Sequence, residues 1–264
     1  MNQKRPRSLF RDRQHGHAGG IVAAMDALRS PESALAKCCV IVPFRDAIVH
    51  PVEDGLRALE ELGVKVFRRG GCSAIDFARS ALASMVLVHG YESVLFIDSD
   101  VFFHPADAIR LLRRSEPIVA GIYAQKRAGK LNALFYPETT EIPWGDQGID
   151  LEVRGIGAGF LRITKNAFQT VTDFHQLPTC QGDNCVLWPF FLPMVAPDEY
   201  TGDVQYLCED MSFCRMAREA GLKVIADTRI RLSHIGNYEY TYADASHPPT
   251  AQPMGGVIPM VYPS

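Results

Sequence analysis

Two rhythms of apolar and polar positions run along this chain, and the alternation between them divides it into elements. In "CCVIVPFRD" an unbroken apolar run is stopped by Pro43, the pattern of a buried strand that feeds a loop. In "PVEDGLRALEELG" Val52, Leu56, Leu59 and Leu62 share one helical face, and Gly63 ends the pattern. "VKVFRR" predicts a second strand, "SAIDFARSALASMVLVHG" a second helix, "VLFI" a third strand, "DAIRLLRRS" a third helix and "PIVAGIYAQK" a fourth strand. Strands that alternate with helices predict one α/β domain with a mixed, mainly parallel central sheet flanked by helices. Ligands in such sheets sit at the carboxyl ends of the strands.

The second half is less regular. "GIGAGFLRITKNAF" predicts a strand entered through glycines and followed by a helix. Residues 172–206, rich in Pro, Gly and Asp, read as loops around a pocket. In "EDMSFCRMAREAG" Phe213, Met216, Ala217 and Ala220 face one way and Gly221 closes the helix. "KVIADTRIRLSHIG" predicts one or two strands ending at His234, and no internal repeat is visible. Ahead of all this, residues 1–20 carry Lys4, Arg5, Arg7, Arg11 and Arg13 with little to bury. They read as a mobile basic arm, either a solvated tail or a contact for an anionic acceptor. Residues 21–36 predict a short helix. The expected organisation is a basic extension over 1–36 and a single domain over 37–264.

Composition narrows the class. The chain has 264 residues, 47% hydrophobic and 22% charged, enough for one large core. A net charge of -3 argues against polyanion binding by bulk electrostatics. No apolar run reaches membrane-span length and the start lacks a signal-peptide core, so the expectation is a cytoplasmic protein. Seven cysteines, two of them adjacent, predict reduced thiols rather than a disulfide framework. Cys180, Cys185, Cys208 and Cys214 raise a zinc site, but their spacing fits no compact ligand pattern.

The chemistry gathers in "YESVLFIDSDVFFHP", where a buried strand runs into Asp98 and Asp100. A carboxylate taken from water is costly unless something positive meets it. Downstream, Glu209 and Asp210 open a helix and His234 follows an apolar strand. Carboxylates with an imidazole suit a hard divalent ion such as Mn²⁺ or Mg²⁺. Each residue also has a plain alternative: the acids as helix N-terminal residues, the histidine as a satisfied loop residue.

The order of these motifs resembles the metal-dependent GT-A glycosyltransferases, over most of residues 38–240. "VLFIDSD" is similar to the family's Asp-x-Asp strand, "GIGAGFLRIT" to its glycine-containing active-site strand, "CEDMSFCRMAREAG" to its Glu-Asp helix and "RLSHIG" to its metal histidine. "SAIDFARSAL" resembles the Asp-x-x-Arg helix beside the nucleotide, and "IVPFRD" the first strand, whose end contacts the base. The resemblance implies a Rossmann-like GT-A domain that moves a sugar from a nucleotide sugar, UDP-linked by family frequency, to a hydroxyl. It implies that Asp98, Asp100 and His234 form the metal site, Asp100 binding the ion directly and Asp98 reaching the ribose or the metal through water. It implies that Pro43, Arg45, Asp76, Arg79, Asp98, Ser99, Lys126 and Gly159 line the donor site, with Lys126 or Arg127 on the diphosphate. Asp210 is the implied base if the reaction inverts, and positions hydroxyls if it retains; Glu209 orients the acceptor. The implied acceptor is a saccharide or lipid-linked glycan, or a hydroxymethylated base in DNA. Tyr238, Tyr240 and Tyr242 either stack on the ligand or line one strand face.

A haloacid-dehalogenase-type phosphatase also carries Asp-x-Asp, with Asp98 as nucleophile and Asp100 as acid, and "GDQGID" mimics its late acidic motif. Against it, that motif should open the domain, and His234 and the Glu-Asp helix are left without a role. A sugar-nucleotide pyrophosphorylase would need a Gly-rich, Arg-containing first loop, which "CCVIVPF" does not precede.

Overall fold

The computed structural model describes residues 34–126, 130–182, 185–236, 238–245 and 255–259. The basic arm and Arg127 lie outside the described residues. Of the short helix expected over 21–36, the described part belongs to a 3-10 turn, Ala34–Lys37.

Seven strands build the central sheet: β1 (Cys38–Pro43), β2 (Lys65–Arg69), β3 (Ser93–Ile97), β4 (Ile118–Ala120), β5 (Asp150–Glu152), β6 (Phe160–Thr164) and β7 (Ile225–Asp227). Their order is β2-β1-β3-β6-β4-β7-β5. β6 and β5 run against the other five, so the sheet is mixed and mostly parallel. Five α-helices lie among the described residues: α1 (His50–Glu61), α2 (Ile75–Val88), α3 (Pro105–Leu112), α4 (Lys165–His175) and α5 (Glu209–Glu219).

The two-residue period of the strands divides the core between the two faces of the sheet. Val40 and Val42 of β1, with Leu95 and Ile97 of β3, pack on α1 and α3. Cys39 and Ile41, with Val94 and Phe96, pack on α2, α4 and α5. Burial decides that α1 forms: its N-cap Val49 offers no side-chain bond, a loss of about 0.5–2 kcal/mol. Leu56 and Leu59 are fully buried, and each returns about 1.5–3 kcal/mol. Gly63 and Gly221, both at φ near +80 to +85°, end α1 and α5 where a side chain would be strained.

The chain leaves β1 through α1 to β2 on one side, then returns to place β3 on the other side of β1. Strand order therefore reverses between β1 and β3, which opens a crevice at their carboxyl ends. Just beyond β3, Val101–Phe102 joins Ser233–Ile235 and Glu239–Tyr240 in a small antiparallel sheet. His234 pairs with Val101 in that ladder, and Ile235 N–H donates to the Asp100 carbonyl at 2.7 Å. This ladder carries the late histidine to the aspartate motif.

Three expectations change. Residues 172–206 are not simply loops: Cys180–Gly182 pairs with Cys185–Leu187, and Met194–Pro197 with Val204–Leu207. In the second hairpin Val195, Pro197, Val204 and Tyr206 are the exposed positions and Met194, Ala196, Gln205 and Leu207 the half-buried ones, so apolar residues stand on both faces and no apolar-polar alternation marks the strands. The strand of "PIVAGIYAQK" ends at Ala120, and beyond it an isolated bridge joins Ala124 to Leu131, flanked by backbone bonds from Gln125 N–H to Lys130 and from Asn132 N–H to Tyr123. The three tyrosines do not form one set: Tyr238 and Tyr240 meet edge-on with ring centroids 5.1 Å apart, while Tyr242 is buried and stacks on Trp144 with centroids 4.7 Å apart.

Candidate functional site

Asp98 and Asp100 leave β3 at the crevice, where its buried apolar run ends and the chain turns. Asp98 N–H donates to the Gly159 carbonyl at 2.9 Å, and Val49 N–H donates to the Ser99 carbonyl at 3.0 Å. The loops after β1 and β3 and the entry to β6 are thereby tied together.

Arg79 of α2 reaches the same place from below. Its side chain is 5% exposed and donates from Nη2 to Asp98 Oδ1 at 2.6 Å and from Nη1 to Glu209 Oε1. Desolvation opposes the guanidinium charge, but Asp98, Glu209 and Asp210 outweigh it and its pKa is raised. Burial and the Asp210 charge push the Glu209 carboxyl up, against the pull of Arg79. Arg79, implied to lie beside the nucleotide, bonds these two carboxylates and so ties α5 to β3. Asp210 is half-buried, and its Oδ1 accepts from Met211 N–H at 2.8 Å and from Cys208 Sγ at 3.0 Å.

Asp100 has a different set of partners. His234 Nε2 lies 3.4 Å from its Oδ1, and Lys126 Nζ lies 2.5 Å from its Oδ2. Burial would raise the Asp100 carboxyl, but hydrogen bonds from His234 and Lys126 prevail and hold it at about 2. Two donors on one octahedral ion at ~2.1 Å stand about 3 Å apart, so the Asp100–His234 spacing fits a shared hard cation. His234 Nδ1 is buried without a hydrogen-bond partner among the described residues. The bond that commonly fixes a ligating imidazole is not made; instead the Tyr123 ring meets the imidazole edge-on at 5.3 Å.

Asp98 does not complete that pair. Among the described residues, the trio of metal-binding side chains whose ligand atoms all lie within 4.8 Å is Cys208, Glu209 and Asp210. Asp98, Asp100 and His234 do not close to that span; Asp98 Oδ1 is bonded to Arg79. In the Cys208 trio Glu209 is bonded to Arg79, and the α5 N-terminus presents the positive end of the helix dipole, so a cation there would face both positive groups.

Gly159 acts through close approach. A Cβ there would collide with the Tyr123 hydroxyl and stand 2.8 Å from Asp98 Oδ2. Tyr123 is buried, and its N–H donates to Asn132 Oδ1 at 2.9 Å. Its ring on His234 and its hydroxyl beside Gly159 let one side chain brace both halves of the site. Sequence reasoning passed over Tyr123 and Asn132; the available signal was Tyr123 in an otherwise small and apolar "VAGIYA" run.

Other expected residues lie on the neighbouring elements. Pro43 is buried at the end of β1, Arg45 is exposed and pairs with Asp46 at 2.7 Å, and Asp76 is half-buried in the first turn of α2. The four cysteines of the zinc reading do not gather: Cys214 is buried in the core, its thiol pushed up to about 12 by burial, and Cys208 turns to Asp210. The acids of "GDQGID" belong to the far side of the sheet. Asp150 in β5 pairs with Arg114 and Arg229, and Asp146 pairs with Arg231. β5 stands four strand spacings from β3, roughly 19 Å. A wide groove of about 1360 Å³ runs along α2 between Arg68–Ala74 and the hairpin of Gln181 and Val186. The carboxylates do not line it, so side-chain chemistry rather than cavity size marks the site.

No family model matches the chain, and no curated protein matches it. Two solved structures are similar over much of its length. "A197 from STIV" is 15% identical over 75% of this chain and 86% of that one, with a TM-score of 0.47. The "inositol-1-phosphate CTP transferase from T. maritima" is 14% identical over 79% of this chain and 72% of that one, with a TM-score of 0.32. Likenesses at this level assign neither a family nor an activity. Among the described residues, no helix is long and apolar enough to cross a membrane.

Proposed function

We propose that this chain is a metal-dependent glycosyltransferase of the GT-A kind, taking a sugar from a nucleotide donor, a UDP-sugar first, to an acceptor hydroxyl. The observation that carries the reading is the meeting of Asp100 and His234 at 3.4 Å, beside an aspartate and a Glu-Asp pair joined by Arg79. Mn²⁺ or Mg²⁺ would be held by Asp100 and His234, with Asp98 in reach through water. When bound, such an ion offsets the charge that grows on the departing diphosphate; a unit pair ~4 Å apart at an effective dielectric of ~20 is worth about 4 kcal/mol.

The chain's own residues supply the rest. The edge at the ends of β1 and β3 receives the donor, with Arg45, Asp76 and Ser99 around it and the buried Pro43 at the end of β1 behind them. Asp210 takes the acceptor proton in an inverting reaction, and Arg79 fixes the helix that presents it. The acceptor is a saccharide or lipid-linked glycan. In support, the outward face of Val195, Pro197, Val204 and Tyr206 leads along its strand directly to Cys208, Glu209 and Asp210. Such a face suits a sugar ring or an acyl chain better than a polyanion.

The test is a donor screen: the protein with UDP-sugars, Mn²⁺ and candidate acceptors, followed by nucleotide release and mass analysis of the product. Sugar-dependent release that disappears in Asp100→Ala is the expected result. Phosphate release from simple esters without nucleotide-sugar turnover overturns the proposal. Acceptor binding that weakens steeply with salt would redirect it to modified DNA.

A further inference from the structure

Lys126 approaches Asp100 along a defined path. Its ammonium sits 2.5 Å from Oδ2, opposite the oxygen that faces His234. Its stem lies against Gly236, two residues past His234, where an added Cβ would come within 3.3 Å of the Lys126 Cδ and 3.5 Å of Cε. The side chain is 40% exposed, so its head can move into water without unpacking the core. An ammonium and a divalent ion cannot share so small a carboxylate site, because like charges at that distance repel.

We propose that Lys126 competes with the divalent cation for Asp100, so that loading the site exchanges an ammonium for a metal. The inference rests on the reading of Asp100 and His234 as cation ligands. Lys126 stabilises the cation-free protein through its bond to Asp100 and has no such bond once the ion is in place. Anything that favours only the cation-free state weakens cation binding by the same factor, and its removal must tighten binding. Lys126 thus sets the cation concentration at which the site fills.

The experiment is a Mn²⁺ titration of the full chain, followed by the electron paramagnetic resonance signal of the free ion, for wild type, Lys126→Met and Lys126→Arg. Lys126→Met should bind Mn²⁺ about three- to tenfold more tightly, the scale of a partly exposed charge-assisted bond. Lys126→Arg should bind no more tightly than wild type. Thermal unfolding gives a second readout: without Mn²⁺ Lys126→Met should melt below wild type, and Mn²⁺ should raise its Tm by more. Mn²⁺ binding by wild type that is unchanged or weaker in Lys126→Met overturns the competition and leaves the cation site standing. Absence of Mn²⁺ binding in all three proteins overturns the cation site and the competition together.

Discussion

Arg79 holds Asp98, nineteen positions further along the chain, at 2.6 Å from inside the protein, its own side chain 5% exposed. The same guanidinium binds Glu209, 130 residues away, so one buried cation pins the end of β3 to the start of α5. The first aspartate of the motif is therefore a structural anchor as well as a candidate site residue, and the second, Asp100, is the one turned to His234.

Removing that cation should be severe. Arg79→Met leaves two carboxylates facing each other in a desolvated space and should cost about 3–5 kcal/mol of unfolding free energy in urea titrations. Asp98→Asn with Glu209→Gln in the same chain should recover most of the loss. If Arg79→Met costs less than about 1 kcal/mol, typical of exposed pairs, the pinning role is wrong.

Gly159→Ala should be poorly tolerated, since its methyl group would meet the Tyr123 hydroxyl and ring carbon. The expected cost is about 1–3 kcal/mol, as for other overpacked sites. Tyr123→Phe removes the nearest atom, so the double variant should be less unstable than the sum of the two single ones. A double-mutant cycle that shows simple additivity would rule this contact out.

Acid should find Asp100. Its folded pKa of about 2 lies below the ordinary 3.8, so its ionised form contributes stability that is fully present above about pH 4. That contribution fades as pH falls toward 2. Wild type should therefore exceed Asp100→Asn in urea midpoint at pH 5 and above, and the gap should close between about pH 4 and pH 2. A gap independent of pH would mean that Asp100 stabilises the fold by packing rather than charge.

Asp210→Asn separates chemistry from binding. If Asp210 is the base, transfer should fall about 10²–10⁴-fold, while the affinity for UDP with Mn²⁺ stays within about twofold of wild type. Equal losses in turnover and in nucleotide affinity would assign Asp210 to the donor site instead.

The local rules of the chain determined much of this. Unbroken apolar runs at Cys38–Val42 and Val94–Ile97 specify buried strands because both of their faces are covered. Val52, Leu56 and Leu59 specify α1 because they recur at the helical period, and Gly63 and Gly221 stop their helices through positive φ. The aspartates, the Glu-Asp helix start and the late histidine stood out as residue types at the ends of predicted elements. The hairpin of Met194–Leu207 was illegible because apolar residues occupy both its exposed and its half-buried face, which leaves no two-residue period to read. Tertiary structure alone decided the partners. Whether Asp98 turned to a metal or to Arg79, and whether Lys126 reached Asp100, depended on strand order and on the small sheet that joins Val101 to His234. Sequence spacing carries no such information, since the charges that settle each carboxylate come from elements far apart in the chain and meet only when the sheet is assembled.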